Sequence, residues 1–283
     1  MILWLASYPK SGNTWLRALL SSYYYSKNGD FDFKMLNKIQ GFPAIKYFKD
    51  YKDNFTRVDD TAKYWINAQK KINSDDKLRL FKTHNSLVKL SNGNFTDKDN
   101  TCGCINIIRD PRNVVTSLKD YYQLETYDEA LDFMFDEKKI LYEEINKKFL
   151  NFNFLGSWSF NYKSWIENKL FPVLLVKYED LEKTPLQTLE KIISFINKVG
   201  NLNKEFDKEK AIKSINNCSF NNLENKEKLL GFPEARLDEK TKDKIKFFNL
   251  GKKNNWKIIL PEDIKYKIIN KFKTDLKKLN YEI

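Results

Sequence analysis

The chain has 283 residues, of which 41% are apolar and 15% aromatic, with six tryptophans among them; that supports a globular protein with room for a large core. No stretch approaches the roughly 18 apolar residues of a membrane span, and no charged segment precedes an apolar one at the N-terminus, so a cytoplasmic location is expected. The net charge is +12, but lysines are spread along the whole chain with no base-reading helix or RNA-binding signature, so no nucleic-acid partner is expected.

The first predicted element is the apolar run ILWLAS (2–7), read as a buried strand. It leaves through SYPKSGNTWLR (7–17), where Gly12 allows a sharp strand-to-helix turn. The amides of the first helical turn would then face that turn without intrahelical acceptors, and Lys10 adds a full positive charge. Such a turn is a seat for a phosphate-like anion. An ordinary βα turn with a solvent lysine explains the same residues. The stretch differs from the nucleotide P-loop, in which lysine follows a second glycine. Leu16, Leu19, Leu20 and Tyr23 then fall at helical spacing.

Residues 28–76 read as a long polar-aromatic insertion, followed by a second strand, LRLFKT (78–83). His84, the single histidine, stands at that strand's end, and Lys82 lies two residues before it. A neutral imidazole suits general-base work near pH 7, although a lone histidine is more often structural than catalytic. CINIIRD (104–110) is a third strand; Asp110-Pro111 then supplies a helix cap and a first-turn proline, with Val114, Val115, Leu118 and Tyr122 continuing the apolar stripe. Arg109 can grip a phosphate bidentately, and Ser117 can add a hydroxyl, unless the pair is a surface ion pair and an idle helix serine. Cys102, Cys104 and Cys218 lack metal-ligand spacing and read as reduced thiols.

Residues 124–170 read as largely helical, VLLVKYED (173–180) as a fourth strand, and LEKTPLQTLEKIISFI (181–196) as one amphipathic helix. Trp15 and Tyr178 serve equally well as core or as flat faces for a purine. Strands alternating with helices predict an α/β fold: a mainly parallel central sheet flanked by helices, opened by a P-loop-like strand-turn-helix, in a single domain over 1–283. Ligands of such sheets bind at the carboxyl ends of the strands, where Lys10, Lys82, His84, Arg109 and Tyr178 all fall.

YPKSGNTW (8–15), KTH (82–84), RDPRNVVTS (109–117), GSW (156–158), KYEDL (177–181), CSF (218–220) and FFNLGKKNNWK (247–257) together resemble the ordered signature of the cytosolic-type sulfotransferases. Members of that family move a sulfuryl group from PAPS, 3′-phosphoadenosine 5′-phosphosulfate, to a hydroxyl or an amine. The resemblance implies that Lys10, Ser11, Gly12, Asn13 and Thr14 hold the 5′-phosphosulfate and that Trp15 lies against the adenine. It implies that Arg109 and Ser117 hold the 3′-phosphate, and that Tyr178, Cys218, Ser219 and Phe220 line the adenine site. His84 would be the base, with Lys10 and Lys82 steadying the transferring group. PAPS is the implied co-substrate and 3′,5′-ADP the product, and no metal is expected.

One motif departs from the pattern. The family usually has Arg-Lys-Gly where this chain has Asn249-Leu250-Gly251, and Asn254 replaces a usual glycine. Gly251 and Lys252 are carried as donor-binding candidates, with Lys252 and Lys253 as substitutes for the missing cations. A P-loop kinase or NTPase would share the anion seat but needs a Gly-Lys-Ser/Thr and an acidic metal ligand; a non-catalytic polyanion-binding module would need no Lys-Thr-His. Residues 28–76 and 224–246 are expected to wall the site for a small-molecule or glycan acceptor; Phe31, Phe33, Phe42, Tyr47 and Phe48 suit an aromatic lining there, though such residues are more often plain core.

Overall fold

The run ILWLA forms strand β1 (Ile2–Ala6), buried along its whole length, as a central parallel strand covered on both faces must be. In the computed structural model, which describes residues 1–75, 77–238 and 241–283, helix α1 (Asn13–Tyr25) follows, then strand β2 (Gln40–Gly41) and helix α2 (Trp65–Ile72). Next come β3 (Arg79–Thr83), the short β4 (Lys89–Leu90) and β5 (Gly93–Asn94), β6 (Thr101–Ile108), α3 (Pro111–Tyr122) and α4 (Tyr127–Phe135). A hairpin of β7 (Ile140–Ile145) and β8 (Lys148–Phe154) leads to α5 (Trp158–Ile166), β9 (Val173–Lys177), α6 (Tyr178–Lys183) and α7 (Pro185–Val199). Helices α8 (Lys208–Asn217), α9 (Phe220–Leu230), α10 (Trp256–Ile259) and α11 (Glu262–Lys278) complete the chain.

Two compact units emerge from the backbone contacts. The first comprises Met1–Tyr8, Ile39–Ile108 and Asp136–Phe206, and it contains the five-stranded sheet, ordered β2-β3-β1-β6-β9 with every pair parallel. Trp4 of β1 sits in register with Phe81 of β3 and Cys104 of β6. Its indole packs among Phe42, Phe81, Phe95 and Trp165, with ring centroids 5.0–6.5 Å away, and its N–H donates to Thr101 Oγ1 at 2.9 Å. On the other face of β6, a Cβ at Gly103 would stand 3.3 Å from Val199 and 3.4 Å from the Phe195 ring; the missing side chain lets α7 lie close against the strand. The sheet is thus flanked by α5 on one face and α7 on the other.

The four expected strands are present, with β6 beginning three residues earlier than the apolar run. Two expectations need correction. The stretch 124–170 is not largely helical, because β7 and β8 interrupt it. Asn146 (φ 52°) and Lys147 (φ 62°) both take left-handed backbone between the paired Ile145 and Lys148, a two-residue hairpin turn made without glycine. The segment 181–196 is two helices rather than one. Thr184 (φ −132°, ψ 62°) leaves helical geometry ahead of Pro185, as the clash of a proline ring with the preceding residue dictates. Of the aromatics read as lining or core, Phe42 and Phe48 are buried in the Trp4 core, and Phe31 and Phe33 are equally buried in the second unit. Tyr47, the fifth, is half-buried.

The second unit comprises Pro9–Lys38, Arg109–Phe135 and Asp207–Ile283. Asp110 caps α3 by accepting from Arg112 N, and Pro111 opens the helix, as the sequence reading requires. Arg112, fully buried, pairs with both carboxylate oxygens of Asp110 and lies 3.7 Å from the Trp256 ring. Arg17 of α1, 2% exposed, makes two 2.9 Å bonds to Glu234 and one of 3.1 Å to the Leu36 carbonyl. Phe33 meets Phe232 edge-on at 5.2 Å and stacks on Phe248 at 6.1 Å.

Candidate active site

In the second unit the turn before α1 is held by two left-handed residues, Lys10 (φ 64°) and Gly12 (φ 100°). Leu16 N is bonded to the Gly12 carbonyl at 3.0 Å, while Gly12 has no side chain to cap the amides ahead of it. The amides of Asn13, Thr14 and Trp15 precede that first helical bond, at the positive end of the helix dipole. Ser11 Oγ is fully buried and has no hydrogen-bond partner. A buried orphan hydroxyl is costly unless something accepts from it, and an anionic oxygen seated in the turn would do so. Asn13 and Thr14 are buried and Trp15 is half-buried. The Lys10 ammonium lies 4.1 Å from the Tyr121 ring centroid and 3.9 Å from that of Phe247.

The same unit brings Arg109 and Ser117 together. Arg109 leaves the end of β6 and is 8% exposed; its Nη1 lies 3.5 Å from both the Lys10 carbonyl and Ser117 Oγ. Asn254 enters the group from the C-terminal segment. Its Nδ2 donates at 2.9 Å to Ser117 Oγ and at 2.9 Å to the Asn113 carbonyl, while its Oδ1 accepts from Thr116 Oγ1 at 2.6 Å. Trp256 N is bonded to Asn113 Oδ1 at 3.0 Å, so two points tie this segment to α3.

Cys218 closes α8 and is buried, Ser219 precedes α9, and Phe220 is the first residue of α9. Phe220 packs directly on Gly251: a Cβ there would stand 2.4 Å from Phe220 Cε1, and φ is +50°. Gly251 therefore answers both a left-handed backbone and a ring lying on it. It opens a short 3₁₀ turn, Gly251–Lys253, on which Lys252 and Lys253 are both exposed. Asn249, at the place of an expected cation, donates to Asp120 at 3.1 Å.

In the first unit His84 follows the end of β3. Its Nδ1 lies 2.9 Å from the Ser7 carbonyl and 3.2 Å from Ser7 Oγ. A carbonyl can only accept, so Nδ1 carries the proton in the neutral ring and the basic lone pair falls on Nε2. The His84 carbonyl accepts from Asn161 Nδ2 at 3.0 Å, and the Asn85 carbonyl from Trp165 Nε1 at 3.0 Å, so α5 holds the loop from beneath. The GSW motif starts that helix: Gly156 has φ 63° and Ser157 Oγ accepts from Phe160 N at 3.1 Å. Lys82, half-buried, sits in β3 opposite Leu5 of β1 and Gly41 of β2. Tyr178, also half-buried, is the first residue of α6 and not part of a strand.

Ser7, Asn113, Asn161 and Asn254 were not singled out as functional by sequence reasoning. The only signal among them was Asn254, as a departure from a usual glycine. Among the described residues, no group of three or more His, Cys, Asp or Glu could hold a metal ion, and no helix is long and apolar enough to cross a membrane.

A family model described as "Sulfotransferase domain" matches residues 2–280. The rat protein "Sulfotransferase 1E1" is 25% identical over 285 residues, covering 97% of this chain and 83% of that protein. "Cytosolic sulfotransferase 16" of Arabidopsis thaliana is 26% identical over 262 residues, covering 89% of this chain and 69% of that protein. Among solved structures, mouse sulfotransferase SULT7A1 complexed with PAP superposes with a TM-score of 0.58 at 19% identity, covering 97% of this chain and 83% of that one. Retinol dehydratase in a complex with retinol and PAP gives 0.55 at 16% identity, covering 100% and 82%. With the P-loop-like turn, the parallel sheet and a match to all but the ends of the chain, this protein belongs to the sulfotransferase family.

Proposed function

We propose that the chain transfers a sulfuryl group from PAPS to the hydroxyl or amine of a small-molecule or glycan acceptor, as one catalytic domain over 1–283. The observation that carries the donor assignment is the buried, unpartnered Ser11 hydroxyl in a left-handed turn at the start of α1. PAPS supplies the sulfuryl group and departs as 3′,5′-ADP. The turn amides, Ser11 and Lys10 hold its 5′-phosphate end, with Gly12, Asn13 and Thr14 shaping the turn. Arg109 and Ser117, whose polar atoms are 3.5 Å apart, hold the 3′-phosphate. Trp15, Tyr178, Cys218, Ser219, Phe220 and Gly251 form the adenine surroundings, and Lys252 and Lys253 add positive charge. Changing both lysines to alanine tests that part: 3′,5′-ADP affinity should fall, and unchanged affinity removes them from the site.

His84 removes the acceptor's proton at Nε2. The Ser7 carbonyl holds the Nδ1 proton and stabilises the positive ring that forms. Lys82 supports the sulfuryl oxygens and Lys10 the leaving phosphate. Catalysis then comes from positioning and charge stabilisation, as in phosphoryl transfer. A cytoplasmic location belongs to the same proposal, supported by the plant relative's being called a cytosolic sulfotransferase.

Incubation with labelled PAPS and a panel of phenols, alcohols, sugars and amines tests the reading. Label should appear on at least one acceptor, and 3′,5′-ADP should raise the melting temperature where ATP with magnesium does not. Stabilisation by ATP with magnesium alone would favour phosphotransfer instead.

A further inference from the structure

Asn254 is 7% exposed, and every polar atom of its side chain is engaged by α3. The Asn113 carbonyl, 2.9 Å away, can only accept, which fixes the amide's orientation: Nδ2 faces that carbonyl and Ser117 Oγ, and Oδ1 faces Thr116. Each hydrogen of Nδ2 therefore has one acceptor. A serine inside a helix commonly turns its hydroxyl back on the carbonyl four residues earlier, here that of Asn113. That carbonyl already takes the helical N–H of Ser117 and the Asn254 amide, and Thr116 Oγ1 lies 2.9 Å from it as a further donor, so no lone pair is left for the Ser117 hydroxyl. Ser117 Oγ meanwhile receives Asn254 Nδ2–H at 2.9 Å and faces Arg109 Nη1 at 3.5 Å. Two donors use its acceptor capacity and leave its own proton to donate.

We propose that Asn254 is a positioning residue for recognition of the donor's 3′-phosphate, holding Ser117 as a hydrogen-bond donor beside Arg109. The inference rests on the donor reading above. It also addresses the missing Arg-Lys pair: Asn249 is bonded to Asp120, and a neutral asparagine anchors the C-terminal segment on the phosphate-binding helix. With glycine at 254, Ser117 would lose the donor that holds its oxygen.

Calorimetric titration with 3′,5′-ADP and with 5′-AMP, which lacks the 3′-phosphate, tests the proposal. The ratio of the two affinities does not depend on the fraction of folded protein. Wild type should prefer 3′,5′-ADP. N254G should cut that preference about tenfold, the scale of one charge-assisted hydrogen bond, with 5′-AMP affinity little changed. N254D should cut it further, since a carboxylate draws the Ser117 proton to itself. S117A should show a similar loss, and N254G added to S117A should cost nothing more. Retention of the wild-type ratio in N254G and N254D, or additive losses in the double variant, would overturn the positioning role. A wild type that does not distinguish the two nucleotides would overturn the donor reading, and this inference with it.

Discussion

Nδ1 of His84 lies 2.9 Å from the backbone carbonyl of Ser7, so the tautomer of the single histidine is set by a group that no side-chain substitution removes. His84→Ala should lower turnover by about 10² to 10⁴-fold while leaving 3′,5′-ADP affinity unchanged. Ser7→Ala deletes the longer 3.2 Å contact to the ring and keeps the carbonyl, and should lower turnover by less than about tenfold. Steady-state kinetics with labelled PAPS separates the two; comparable losses would mean that the Ser7 hydroxyl, rather than its carbonyl, orients the ring.

Ser11 offers a case in which stability and binding move in opposite directions. Its buried hydroxyl has no partner in the unliganded protein, so Ser11→Ala should leave the free protein as stable or more stable, by up to about 1 kcal/mol. The same change should weaken 3′,5′-ADP binding about tenfold. Denaturant melts and calorimetry read both quantities, and unchanged nucleotide affinity would take the hydroxyl out of the anion seat.

Gly251 cannot accept a side chain as the segment stands. Alanine there would meet the Phe220 ring at 2.4 Å and hold a left-handed backbone, costing about 1–3 kcal/mol in stability or a comparable loss of nucleotide affinity as the ring moves. Gly251→Ala combined with Phe220→Leu should recover part of the stability loss but not the affinity. Thermal melts paired with 3′,5′-ADP titration check the pair.

The three cysteines should be slow toward thiol reagents in the native protein. Burial pushes the Cys102 thiol up to about 11, and burial likewise raises Cys104 and Cys218. Against an ordinary value of 9, the Cys102 thiolate fraction at pH 8 falls about a hundredfold. The sign follows for stability: the native state favours the protonated thiol, so its contribution is complete below pH 9 and is lost as pH rises toward 11. Colour development with a disulfide reagent should be slow at pH 8 and complete only after unfolding. Cys102→Ala should reduce the loss of stability between pH 9 and 11.

Much of the fold was legible because its signals are local. ILWLA is an apolar run of the length a buried parallel strand needs, RLFKT carries Leu80 and Phe81 over the same length, and Asp110-Pro111 announces a helix start by the chemistry of two neighbours. The hairpin at 140–154 escaped because its turn is Asn146-Lys147, without the glycine that normally advertises left-handed backbone. The break at Thr184 was visible in Pro185, but the amphipathic spacing on either side masked it.

What the sequence determined by itself was the kind of machinery: a strand-turn-helix with Lys10, Ser11 and Gly12, an arginine and a serine eight residues apart, and one histidine after a strand. Residue type and short-range spacing carry that information. Which nitrogen of His84 is basic, that Ser117 is held by Asn254, and that Gly251 yields to the Phe220 ring were decided only by tertiary structure. Each depends on a contact between residues 31 to 137 positions apart, and a hydrogen bond's direction follows from what each atom finds opposite it once the chain has folded.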